Sequence, residues 1–280
     1  MKVFTFFYNR YDTATTSKAL RENGIEHNVL IHNADDLQKF VKGGTIYGKA
    51  VVTNNGRGLA YQRNSALDMM NIGEWAVFTS DDFQKIYSYP KEFILSKTTK
   101  IPVNFQNQNK YQLKKKDTIS LKDMFEFFPK LIELAEANNI HLIGFGLHDN
   151  PLNLGNKFGT RGLADGRFWL VKKSTYKFDT QVQSVDDFAW TAENLVRHKN
   201  VLVLNWCVPY FARYSAGGYG TQPERYEMKK IECAYLAKKY DPLIRLAKKW
   251  QAKEEYEGAH IRLYASDGNI SAVRKKFGLL

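Results

Sequence analysis

Short apolar blocks and amphipathic stretches take turns along the first eighty residues. Residues 2–8 read as a strand, and the polar-apolar spacing from Thr15 to Asn23 predicts a helix closed by Gly24, where a left-handed residue ends helices well. His27 to His32 reads as a second strand, Asp35 to Val41 as a short helix ending at Gly43-Gly44, and Lys49 to Thr53 as a third strand. A helix over Ala60 to Met70 precedes Trp75 to Thr79, whose unbroken apolar run suits a strand buried on both faces. Strands alternating with helices predict an α/β fold with a mostly parallel, Rossmann-like sheet flanked by helices. Further along, Leu121 to Asn138 and Asp186 to His198 carry helical periodicity, and His141 to Gly146, Arg167 to Lys172 and Val201 to Trp206 read as strands. Glu224 to Glu257 reads as a charged helical region broken near Asp241-Pro242, because proline cannot continue a helix.

No repeat, low-complexity tract or linker divides the 280 residues, so one domain is expected. Within it, 1–110, 111–223 and 224–280 read as two halves and a basic helical C-terminal region. The two cysteines, Cys207 and Cys233, have no short spacing, which disfavours a disulfide framework or structural zinc and suits a reducing compartment. The first apolar run is too short for a signal sequence or a membrane span. A cytoplasmic, monomeric protein without a membrane partner is expected. Charge changes the picture most: 41 Lys and Arg against 29 Asp and Glu leave a net +12, which favours a polyanionic partner, nucleic acid first.

Chemistry concentrates in a few places. Trp75 to Thr79 delivers Ser80-Asp81-Asp82 to a strand end, where open α/β sheets bind ligands. Two adjacent carboxylates there suit Mg²⁺ or Mn²⁺ bridging a diphosphate, and equally suit a simple turn. The stretch Asn54-Asn55-Gly56-Arg57-Gly58 leads into a helix carrying Arg63-Asn64. A glycine turn, a helix N-terminus and two arginines could hold phosphate, or the turn could be only a connector. Ser184-Val185-Asp186-Asp187-Phe188-Ala189-Trp190 opens a helix. Asp187 there could act as a general base, or complete a capping box with Ser184. Gly217-Gly218-Tyr219-Gly220 is either a mobile lid or a flexible turn. His148, Asp149 and Arg161 to Arg167 surround the middle strands. His260 has no motif around it.

The Arg-Asn pair, followed about a dozen and a half residues later by a strand ending in Asp-Asp, resembles the donor half of GT-A glycosyltransferases. The resemblance covers residues 1–85, and 184–206 more loosely. It implies that Asp81 meets the ribose and Asp82 the metal, with Ser80 replacing the first acid of an Asp-x-Asp motif. It places Tyr8, Asn9 and Arg10 beside the nucleotide base, and makes Asp187 the base of an inverting transfer. Over the whole chain the length, basicity and motif arrangement resemble the T-even phage glucosyltransferases that modify DNA. That resemblance implies UDP-glucose as donor and, as acceptor, the glucose of glucosylated 5-hydroxymethylcytosine in double-stranded DNA, protecting it from restriction. Arg57, Arg63, Asn64, Gly217 and Gly218 would then hold the donor with a divalent cation. His148, Asp149, Arg161 and Trp190 would face the acceptor, and Lys114 to Lys116 would anchor phosphates. A transferase for surface polysaccharide or glycolipid, or a catalytically silent DNA-binding protein of the same fold, would fit the same composition.

Overall fold

The apolar blocks become neighbouring strands because layers cover both of their faces. A computed structural model describes residues 1–7, 14–53, 58–88, 117–146, 158–211, 222–247 and 260–280. In chain order these form β1 (Lys2–Phe6), α1 (Thr15–Glu22), β2 (Asn28–Ile31), α2 (Ala34–Gly43), β3 (Lys49–Val52), α3 (Leu59–Asp68), β4 (Trp75–Ser80) and β5 (Phe83–Ser88). Then come β6 (Asp117–Ile119), α4 (Leu121–Ala137), β7 (Leu142–Phe145), β8 (Phe158–Gly159), β9 (Phe168–Lys172), α5 (Asp186–His198), β10 (Leu202–Leu204) and β11 (Cys207–Phe211). The chain closes with α6 (Gln222–Lys239), β12 (Ile244–Leu246), β13 (Ile261–Leu263) and α7 (Asp267–Lys276).

The main sheet has the order β3-β2-β1-β4-β9-β7-β10-β8. Its strands run parallel except β9, antiparallel to β4 and β7, and β8, antiparallel to β10. Because a strand's side chains alternate between faces, each strand feeds two cores. Phe4, Phe6, Ala76, Phe78, Trp169 and Val171 point to one face, under α3, α5, α6 and α7. Val3, Trp75, Val77, Phe168 and Leu170 point to the other, under α1 and α4. A three-stranded sheet, β11-β5-β6, packs on that second core. The α/β class and the mostly parallel sheet flanked by helices therefore stand.

Helix ends follow local chemistry. Gly24 takes a φ of 69° just past α1, and Gly44 one of 64° past α2. Asn33 caps α2 by accepting the Asp36 N–H at 2.8 Å. The C-terminal region departs from expectation only past the break near Asp241-Pro242. α6 stops at Lys239, close to that break, and β12 beyond it pairs antiparallel with β13 where further helix was expected. This segment is pinned by burial: Cys233, Leu236, Tyr240, Ile244, Ile261, Ile270 and Val273 join the same core as Phe4 and Trp169. Among the described residues, no helix is long and apolar enough to cross a membrane.

Asn64 was expected at the donor. It serves the fold instead: its Nδ2 donates to the Phe178 carbonyl at 3.0 Å, and the Phe178 N–H donates to its Oδ1 at 2.8 Å. This amide pairs with the chain as a strand neighbour would, fixing the connection before α5 onto α3. Asn64→Ala should lower unfolding stability by about 1–3 kcal/mol, because it strands a backbone donor and acceptor together. Urea denaturation measures it, and Asn64→Asp, which keeps the acceptor alone, should fall between.

Candidate functional site

Parallel strands end together, so loops with polar residues collect at one edge of the sheet. There lie Phe7 after β1, Asp81-Asp82 after β4, and the Asp165-Gly166-Arg167 turn that enters β9. A cavity of about 430 Å³ opens at this edge. Asp81, Asp82 and Arg167 line one side, and Gln183, Arg225 and Lys229 another. Asp81 and Asp82 occupy the tight turn between β4 and β5, and α1 holds that turn. Thr16 Oγ1 donates to the Ser80 carbonyl at 2.7 Å and accepts the Phe83 N–H at 2.9 Å, while Thr15 Oγ1 donates to the Asp81 carbonyl at 3.2 Å.

Within the turn that enters β9, Arg167 grips Asp165. Its Nε lies 2.9 Å from both carboxylate oxygens, and its Nη2 also meets Oδ2. Burial opposes the Arg167 charge, but the Asp165 bonds and the nearby Asp82 and Asp187 hold its pKa above the usual value.

Arg63 does not reach the cavity. It is 1% exposed, so its guanidinium cannot touch a diphosphate in the cleft. Nη2 donates to the Gly166 carbonyl at 2.6 Å, Nη1 pairs with Asp186 Oδ2, and the group lies 4.4 Å over Trp169 and 5.5 Å from Phe178. Burial pulls its pKa down to about 9, with Asp187 and Asp165 opposing, so it stays cationic at neutral pH. A Cβ at Gly166 would fit tightly, 3.1 Å from Asp187 Cβ and 3.3 Å from Arg63 Nη2, so a neighbour would have to give by a few tenths of an ångström.

The expected capping box at Ser184 is absent. Its bonds go to Glu232 of α6, which takes the N–H groups of Gln183 and Ser184 at 2.8 Å each, that of Val185 at 3.3 Å, and the Ser184 hydroxyl at 2.5 Å. Nothing in the sequence marked Glu232, one carboxylate among many in a charged helix. Asp187 is left with the Phe188 N–H at 2.8 Å. It is half-buried and near Lys229 and Arg167, and it is not among the residues that line the cavity. Burial first, then the charge of Asp165, push its pKa up to about 6, against the pull of the Phe188 N–H, Arg63 and Lys229.

Two acceptor residues sit elsewhere. Trp190 is 3% exposed and stacks on Phe178 at 3.8 Å, inside the core. Arg161 lies beyond Thr160, whose carbonyl meets the Val201 N–H ahead of β10, at the far edge of the sheet, and pairs with Asp267. Tyr8, Asn9, Arg10, Arg57, Lys114 to Lys116, His148, Asp149, Gly217 and Gly218 lie outside the described residues. Among the described residues no group of three His, Cys, Asp or Glu is placed to hold a metal ion. No family model, curated protein or solved structure matches this chain.

Arg63→Met should cost about 3–5 kcal/mol of stability, because it leaves Asp186 buried without its partner. The double variant Arg63→Met/Asp186→Leu should recover most of that loss. Denaturant titration of the four proteins in the cycle checks this. A loss in the double variant equal to the sum of the two single losses would show that the pair is not coupled.

Proposed function

We propose that the protein is a GT-A-type glycosyltransferase. It moves glucose from UDP-glucose onto the glucose of glucosylated 5-hydroxymethylcytosine in duplex DNA. One observation carries the reading. A nucleotide-sized cavity at the carboxyl edge of a mostly parallel sheet joins Asp81-Asp82 to three cationic side chains, two of which, Arg167 and Lys229, also lie near the carboxyl of Asp187.

Each residue's part follows from its chemistry. Asp81 takes the ribose hydroxyls. Arg167, Arg225 and Lys229 face the diphosphate and offset the charge it gains on leaving, replacing Arg63 in that part. Asp82 would give one oxygen to a Mn²⁺ or Mg²⁺ ion, which would supply further charge neutralisation; no other described residue completes such a site. Asp187 accepts the proton of the acceptor hydroxyl as that oxygen bonds to the anomeric carbon. The bond from that carbon to phosphate breaks, its electron pair leaves with UDP, and attack from the opposite side inverts the carbon. The +12 net charge suits DNA as the acceptor's carrier.

Incubating glucosylated phage DNA with the protein and UDP-sugars, followed by nucleoside mass spectrometry, should give a disaccharide-bearing nucleoside from UDP-glucose. Transfer to free glycosides alone, with salt-independent DNA binding, would favour a polysaccharide or glycolipid acceptor. UDP with Mn²⁺ should raise the melting temperature, and Asp82→Asn should remove most of the metal's share.

Asp187→Asn should cut transfer at least about a hundredfold while UDP affinity holds. Wild-type transfer should rise with pH through about 6 as Asp187 loses its proton. Stability should move the other way. A carboxyl whose folded pKa lies above its unfolded value near 4 binds more protons when folded, so its contribution falls as pH rises from about 4 to 6. Asp187→Asn should therefore gain on wild type across that window in thermal melts. An active Asp187→Asn enzyme would remove the base assignment.

A further inference from the structure

The opposite edge of the main sheet, where β4 and β7 begin and β9 ends, holds a second cleft of about 550 Å³. Lys172, Lys173, Arg197 and Arg274 line it together with His141 and His198. The two imidazoles stack with centroids 3.6 Å apart and planes 23° from parallel. One nitrogen of each is already placed: His141 Nδ1 is 2.9 Å from Ser174 Oγ, and His198 Nε2 is 3.1 Å from the Tyr176 hydroxyl.

The charges around the rings do not balance locally. Lys172 pairs with Glu136 at 2.7 Å, Lys173 approaches Asp68 at 3.8 Å, and Arg197 pairs with Glu193 at 2.5 Å. Those carboxylates lie outside the cleft lining. Arg274 is held by carbonyl oxygens, of Val196 at 2.5 Å, Arg197 at 3.1 Å and Leu279 at 3.0 Å. Closing the end of α5 accounts for Arg274. It does not account for Lys172 and Arg197 lying beside a stacked imidazole pair. Burial, then His141, Arg197, Lys172 and Arg274, drive the His198 pKa down to about 3. His141 is lowered by burial and Lys172, with Glu136 opposing. The Tyr176 hydroxyl is held protonated, chiefly by burial. The field at the imidazoles is thus positive, and an anion would relieve it.

We infer that this cleft binds a phosphate group, as a tetrahedral dianion held by Lys172, Arg197 and the imidazole N–H groups, separately from the donor cavity. The site lies a strand's length from Asp82, so the phosphate is not the donor's diphosphate. A dianion reverses the field on the rings, so binding takes up protons and strengthens as pH falls.

The test uses the full chain with inorganic phosphate and sulfate at constant ionic strength, read by proton NMR of the six histidines. Sulfate serves because it stays dianionic over the range. Saturable shifts of the His141 and His198 signals are expected, with protonation midpoints moving to higher pH. Sulfate affinity should rise about tenfold from pH 8 to pH 6, as coupling to proton uptake requires. Lys172→Gln/Arg197→Gln should weaken sulfate about tenfold, the loss expected from removing charged hydrogen bonds, and Lys39→Gln on α2 should not. Displacement of sulfate by a short duplex would identify the group as a nucleic-acid phosphate. Displacement by UMP but not by duplex would identify a small phosphorylated ligand. If the wild-type histidine signals move no more with sulfate than with chloride, or if the double variant folds and binds as wild type does, the site does not exist.

Discussion

The buried guanidinium of Arg63 is the constraint on which this edge of the protein depends. A cation withdrawn from water must be repaid where it sits, and three separate segments do so: Asp186 from the start of α5, the Gly166 carbonyl from the turn before β9, and the rings of Trp169 and Phe178. All of these partners lie about a hundred residues or more from Arg63 in sequence. Once they surround one charge, α3, α5 and the turn into β9 have a single mutual arrangement. Asp165, Arg167 and Asp187 inherit their positions from it. Glu232 supplies the matching clamp from α6, which brings Arg225 and Lys229 over the same cavity.

Much of the scaffold was legible because it rests on local rules. Continuous apolar runs such as Trp75 to Phe78 must be covered on both faces, and the glycines after α1 and α2 stop those helices as glycine does. What escaped depended on distant partners. β5 and β11 carry mixed patterns, Phe83-Gln84-Lys85-Ile86 and Cys207-Val208-Pro209, that become strands only by pairing with each other. β12 and β13 share that dependence, which is why helix on both sides of a break near Asp241-Pro242 looked the simpler reading.

The candidate site divides in the same way. A strand bringing Asp81-Asp82 to the carboxyl edge follows from chain direction alone, and the cavity forms there. The role of Arg63 did not follow, because an arginine near a glycine turn looks alike whether it faces phosphate or the interior. Only the packing of Phe6, Trp169 and Phe178 around it decides. Trp190 misled for the converse reason: an aromatic in an acidic motif suggests a stacking platform, yet its helical position turns it inward onto Phe178.

The behaviour of Asp187 is the last consequence of this arrangement. A carboxylate in the first turn of a helix ordinarily has its charge stabilised by free backbone N–H groups. Here Glu232 has taken the three N–H groups ahead of α5, and Asp187 keeps one. Burial and the neighbouring charge of Asp165 then outweigh what remains, and the proton is held up to about pH 6. On the proposed reading this is useful, since a base that binds its proton near neutrality transfers it with little mismatch to either side. The helix cap and the base are thus two carboxylates with divided work. Glu232 stays fully engaged with the backbone, while burial and the charge of Asp165 keep Asp187 basic.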